Sequence, residues 1–120
     1  MFEVRKPVTP EAVANLIIAA FEGGSNYWID KVRHISGNSN EKPYYADPQL
    51  YMDPDFLIEI TDNDEEDRWN LNQRAIVRGL DLLGSVAHGR HLADFLSEND
   101  DAETADVFLQ LCLFGDVVYG

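Results

Sequence analysis

The side chains here with most chemistry to offer are carboxylates, and they are unevenly spread. No basic residue falls between Lys42 and Arg68, yet Asp47, Asp53, Asp55, Glu59, Asp62, Asp64, Glu65, Glu66 and Asp67 all do. After Arg90 the cations stop again, and Asp94, Glu98, Asp100, Asp101, Glu103, Asp106 and Asp116 follow. Closely set carboxylates on one small domain present charge much as nucleic-acid phosphates do, and a basic groove on a partner protein is attracted to them over long range. The residues expected to meet such a partner are Asp53, Asp55, Glu59, Asp62, Asp64, Glu65, Glu66, Asp67, Asp94 and Glu98. The plainer reading of both tracts is a pair of solvated faces.

Three other groupings invite a chemical reading. Asp62-Asn63-Asp64-Glu65-Glu66-Asp67 alternates like the start of an EF-hand, but Asp67 stands where that loop needs glycine and Asn72 near its bidentate glutamate. A charged hairpin tip that protects a sheet edge accounts for it better. His88, His91 and Asp94 would share a helical face and a divalent ion if a helix began early enough. Gly89 weakens a helix there, so no metal or cofactor is expected, and surface or capping histidines are the plainer account. Gly23, Gly24, Ser25, Asn26, Tyr27 and Trp28 offer backbone N–H groups for an anion, the basis of an alternative reading as a nucleotide-binding or metal-binding module. The glycines there end a helix and no Gly-Lys-Ser/Thr follows, which makes a phosphate loop the wrong model and a corner between elements the better one. No nucleophile arrangement emerges from spacing, and the chain is read as no enzyme.

The elements that must position these groups follow from periodicity and caps. Thr9-Pro10-Glu11 opens a helix with a capping hydroxyl, a proline at its first position and an early acid. Its apolar stripe is Val13, Leu16, Ile17 and Ala20, and it stops at Gly23-Gly24. Ser25-Asn26 then caps an expected second helix with Trp28, Val32 and Ile35 on one face, with a strand as the alternative because Tyr27, Trp28 and Ile29 favour β structure. Phe56 to Asp62 alternates as a strand, with Phe56, Ile58 and Ile60 on one side. Arg68 to Leu71 reads as its return strand. Asn72 caps a helix with Ile76, Val77, Leu80 and Leu83 facing inward, and places Asp81 within reach of Arg78. A short helix through His91–Leu96 is expected next. The last helix, Asp101 to Phe114, is apolar almost all round in its second half and ends at Gly115, so it should be central. Phe2 and Val4 suggest a short edge strand, and Val117–Tyr119 a final one. The expected whole is one α+β domain over residues 1–120, with about four helices around a small antiparallel sheet.

Bulk composition bounds the rest. The chain carries 22 acidic and 9 basic residues, a formal net charge of −13, and 45% hydrophobic residues, enough for a core in 120 residues. That charge opposes direct contact with nucleic acid or anionic membranes. One cysteine, Cys112, rules out an internal disulfide and reads as a buried thiol. No apolar run suits a signal peptide or a membrane span, so a cytoplasmic setting is expected. Homo-oligomerisation is left open.

At Glu22-Gly23-Gly24-Ser25-Asn26-Tyr27-Trp28, at Asp101–Val107 and at Leu113-Phe-Gly-Asp-Val-Val-Tyr-Gly120, the chain resembles a group of small acidic proteins encoded by bacteriophages and prophages. Gly37 to Gly84 matches more loosely, in the order strand, acidic turn, tryptophan, helix. The resemblance implies manufacture in the cytoplasm of an infected bacterium, among genes rich in inhibitors of host defence, and it transfers no catalytic residue. Joined to the charge pattern, it leads to the expectation of an acidic binding protein that blocks a basic nucleic-acid-handling partner, such as a restriction or CRISPR-type effector, by mimicking nucleic acid.

Overall fold

A computed structural model of the chain describes residues 8–63, 67–85 and 102–120. The first helix, α1 (Pro10–Ala19), begins as its sequence requires. The Thr9 hydroxyl accepts the Ala12 N–H at 3.1 Å, and Pro10 occupies the first turn. Val13, Ala14, Leu16 and Ile17 are buried, and the helix widens into a single π turn over Ala20–Gly24. Gly24 lies against the start of the last helix, where an added Cβ would overlap the Ala102 carbonyl oxygen. Only glycine allows that approach.

The segment after this corner is strand β1 (Ile29–Ser36), not the helix expected from the spacing of Trp28, Val32 and Ile35. Ser25 caps nothing, because its hydroxyl is turned to the last helix. Trp28 is buried before the strand starts, and Ile35 is 44% exposed, so the three never share a face. The β preference of this aromatic and β-branched run prevails once β2 (Leu57–Asp62) is there to pair with it. Strand β3 (Arg68–Leu71) completes an antiparallel sheet of order β1-β2-β3. Alternation along β2 buries Ile58, Ile60 and Asp62 and leaves Leu57, Glu59 and Thr61 partly exposed on the other face. Between β1 and β2 the chain makes two short 3₁₀ turns, Tyr44–Ala46 and Pro48–Met52. They deliver Leu50 and Tyr51 to the core.

Helix α2 (Gln73–Leu83) is capped by the Asn72 side chain, which accepts the Ala75 N–H at 2.9 Å. Its Gly79 meets helix α3 (Ala102–Phe114) so closely that a Cβ would overlap the Cys112 sulfur. Arg78 donates to the Cys112 carbonyl, binding the two helices further. Val77, expected inward, is 57% exposed, because Ala75, Ile76, Gly79 and Leu83 supply the buried face. Every residue of α3 from Thr104 to Leu113 is buried, and the helix packs on α1, α2, β3 and the π turn. It is the centre of the fold, as its all-round apolar character requires.

The α+β class therefore holds. The expected count of about four helices does not, since three α-helices occur among the described residues. The expected helix through His91–Leu96 and the strand at Phe2–Val4 lie outside those residues. Val117–Tyr119 forms no strand; it is held by side chains instead.

Candidate functional site

The first half of α3 brings one carboxylate into the core. Asp106 is 8% exposed and accepts four hydrogen bonds. Ser25 Oγ donates to Oδ1 at 2.8 Å, Trp28 Nε1 to Oδ1 at 2.8 Å, and Gln110 Nε2 to Oδ1 at 3.1 Å. The Tyr27 hydroxyl donates to Oδ2 at 2.6 Å. Gln110, four residues on and so on the same helix face, extends this network to the C-terminal tail. Its Oε1 accepts the Val118 and Tyr119 N–H groups at 2.7 and 2.8 Å, and its Nε2 donates to the Tyr119 carbonyl at 3.1 Å. The Tyr119 ring stacks on Trp28, with centroids 5.1 Å apart and planes 2° from parallel, while Phe114 sits edge-on to Trp69 at 4.6 Å. Tyr119 also donates to buried Asp62 at 3.3 Å. Burial first, then the hydrogen bond and charge of Asp106, push the Tyr27 phenol up to about 12.

This joint answers what the Gly23–Trp28 corner does. Gly24 is pressed on Ala102, and Ser25 and Trp28 are turned inward to Asp106. The Ser25, Asn26 and Trp28 N–H groups already donate to the Ala20, Gly23 and Ser25 carbonyls. The Ser25, Asn26 and Trp28 donors are thus engaged within the corner itself. Gly23 faces open space, and Asn26 and Tyr27 remain exposed. In the sequence Asp106 falls in the acidic tract after Arg90, whose plainer account is a solvated face. The signal that it belongs inside was its position between Ala105 and Val107, with Gln110 one turn later.

The acidic tract 47–67 is not one surface. Asp47 is 4% exposed and caps the Pro48–Met52 turn, accepting the Asn40 and Gln49 N–H groups at 2.9 Å each. These backbone donors hold its carboxyl below the usual carboxylate range. Asp53 accepts the Asn38 N–H at 3.2 Å and the Asp55 N–H at 2.9 Å, fastening the loop before β2. Asp62 is buried at the other end of β2. Strand β2 separates these groups by roughly 20 Å at strand rise, leaving Asp53 and exposed Asp55 at one end and exposed Asp67 at the other. Between them Glu59 pairs with Arg33 at 3.5 Å and Arg68 at 3.6 Å, on the outward face of the sheet. Asp64, Glu65, Glu66, Asp94 and Glu98 lie outside the described residues, as do His88 and His91.

Elsewhere, His34 stacks on Tyr44 with centroids 4.5 Å apart, its Nε2 2.8 Å from the Gly37 carbonyl. Among the described residues no three His, Cys, Asp or Glu side chains are placed to share a metal ion. Cys112 is fully buried, and burial pushes its thiol well above the ordinary range. No described helix is long and apolar enough to cross a membrane. No family model, no curated protein and no solved structure matches the chain.

Proposed function

We propose that this chain is a non-enzymatic acidic binding protein of phage type, whose carboxylates engage the nucleic-acid-binding groove of a basic partner and keep nucleic acid out. The observation that carries the reading is the charge: −13 on 120 residues, with Asp30, Asp55, Asp67, Glu103 and Asp116 among the acids exposed. A surface of that sign steers a basic partner toward it, and the attraction fades once the Debye length falls to a few ångströms at high salt. A host restriction or CRISPR-type effector is the partner class in view, met in the bacterial cytoplasm.

The binding end is the one reached by residues 62–67, where five acids fall within six positions of sequence. Asp47, Asp53 and Asp62 hold the fold and serve the surface only through the shape they impose. The test is affinity capture from bacterial lysate at low and high salt. The wild type is compared with a variant reversed at Asp64, Glu65, Glu66 and Asp67, and with Asp55→Lys at the opposite end. Retention of a basic nucleic-acid-binding protein by wild type and Asp55→Lys at low salt, with loss from the reversed variant, is expected. Equal retention by the reversed variant would remove residues 64–67 from the interface.

A further inference from the structure

The cations of this chain are few, and three of the nine meet on the outward face of the sheet. Lys31 and Arg33 of β1 and Arg68 of β3 surround Glu59 and Thr61 of β2, with Asp30 at the margin. Together they line an open depression of about 210 Å³. The pairing explains the grouping: Arg33 lies opposite Glu59, while both Lys31 and Arg68 lie opposite Thr61. Exposure is graded across the group. The Glu59 side chain is 19% exposed, against 61% for Arg33 and 67% for Arg68. Glu59 is the least exposed of the three, and Lys31, Arg33 and Arg68 against Glu59 and exposed Asp30 leave the depression with a net charge of one positive unit. Both arginines reach the same Glu59 Oε1, at 3.5 and 3.6 Å. A guanidinium has five N–H donors, so one shared carboxylate oxygen does not exhaust either fork. Glu59 positions the two forks and leaves them able to bind.

We propose that this depression is a binding site for one small oxyanion of the phosphomonoester class, held by Arg33 and Arg68, with Lys31 and the Thr61 hydroxyl completing the donor set. Planar guanidinium forks match phosphate oxygens bidentately, and a phosphomonoester carries enough charge to engage both, with Lys31 adding a point charge. The volume suits a fragment-sized ligand. The net charge of the whole chain opposes a polyanion, because each further phosphate enters a field of like sign. The site rests on the sheet face alone and does not depend on the partner-binding reading.

The experiment is a titration of the ¹⁵N-labelled full chain with inorganic phosphate, with glycerol phosphate and with a single-stranded oligonucleotide, followed by amide chemical shifts. Saturable shifts at Lys31, Arg33, Thr61 and Arg68 with both small phosphates, and none with the oligonucleotide, are expected. Arg33→Gln and Arg68→Gln should each weaken binding about tenfold or more, as loss of charged hydrogen bonds does. Arg74→Gln, an exposed arginine on α2, should leave binding unchanged. These are exposed side chains, and the spectrum itself reports whether each variant is folded. The proposal is overturned if the shifts do not saturate, if they persist in Arg33→Gln and Arg68→Gln, if Arg74→Gln weakens binding as much, or if the oligonucleotide binds the same residues as tightly.

Discussion

Replacing Asp106 by alanine should remove a large part of the protein's stability. The substitution leaves four donors without their acceptor. Ser25 at 0%, Trp28 at 2% and Gln110 at 0% exposure are out of reach of bulk water, whereas Tyr27, 50% exposed, re-forms its bond with solvent. A buried donor left unpaired costs about 1–3 kcal/mol; Gln110 Nε2 keeps the Tyr119 carbonyl, so the loss falls on Ser25 and Trp28 and amounts to roughly 2–6 kcal/mol. Domains of this size have about 5–15 kcal/mol in total. Asp106→Asn keeps the shape and one carbonyl oxygen for Ser25, Trp28 and Gln110, losing charge assistance to those bonds and reversing the one to Tyr27, whose hydroxyl can rotate to accept. Its penalty should be near 1–3 kcal/mol. Urea unfolding followed by tryptophan fluorescence, which Trp28 reports from the joint itself, gives both values. The expected order is wild type, then Asp106→Asn, then Asp106→Ala. An alanine variant within about 1 kcal/mol of wild type would refute the reasoning, because water or repacking would then satisfy every donor.

Further outcomes follow from the same structure. Gly79→Ala should destabilise by about 1–3 kcal/mol in the same urea assay, since the methyl overlaps the Cys112 sulfur and crowds Phe108 Cε1 at 3.2 Å. That outweighs the helix-propensity gain of about 1 kcal/mol. Cys112 should resist a thiol reagent in the folded protein and react at the rate of unfolding, as its burial and raised pKa require. For Tyr27, raised from 10.0 to about 12, the folded state favours the neutral phenol. Its contribution to stability is therefore complete below pH 10 and lost as pH rises to about 12. Burial and Glu22 raise Tyr45 to about 12 as well, so spectrophotometric titration should show phenols ionising near 12 whose amplitude falls by one tyrosine in Tyr27→Phe.

The parts legible in the sequence are those governed by local chemistry. Thr9, Pro10 and Asn72 mark helix starts because their side chains or ring act within one turn. The alternation of Ile58 and Ile60, and the apolar circumference of α3, state burial directly. Residues 25–35 read as a helix before a strand because Trp28, Val32 and Ile35 happen to fall at helical spacing; the strand alternative is the one that forms, and the contacts that decide it, β2 beside the strand and Asp106 beside Ser25, are distant in sequence. The same distance hid the joint. Ser25, Tyr27 and Trp28 lie about eighty positions from Asp106, and an acid beside other acids looks like a surface group. The tract 47–67 looked continuous because charge is read along the chain. The cap at Asp47, the burial of Asp62 and the length of β2 divide it in space.

The central claim, that this surface competes with nucleic acid, is tested most directly by displacement. A basic partner recovered by low-salt capture is loaded with a fluorescent oligonucleotide and titrated with this chain, while polarisation is followed at several salt concentrations. The account predicts that the chain releases the oligonucleotide, that its binding weakens steeply with salt, and that reversal at Asp64, Glu65, Glu66 and Asp67 abolishes the release. Binding of the chain that leaves the oligonucleotide in place, or release that is indifferent to that reversal, would contradict it.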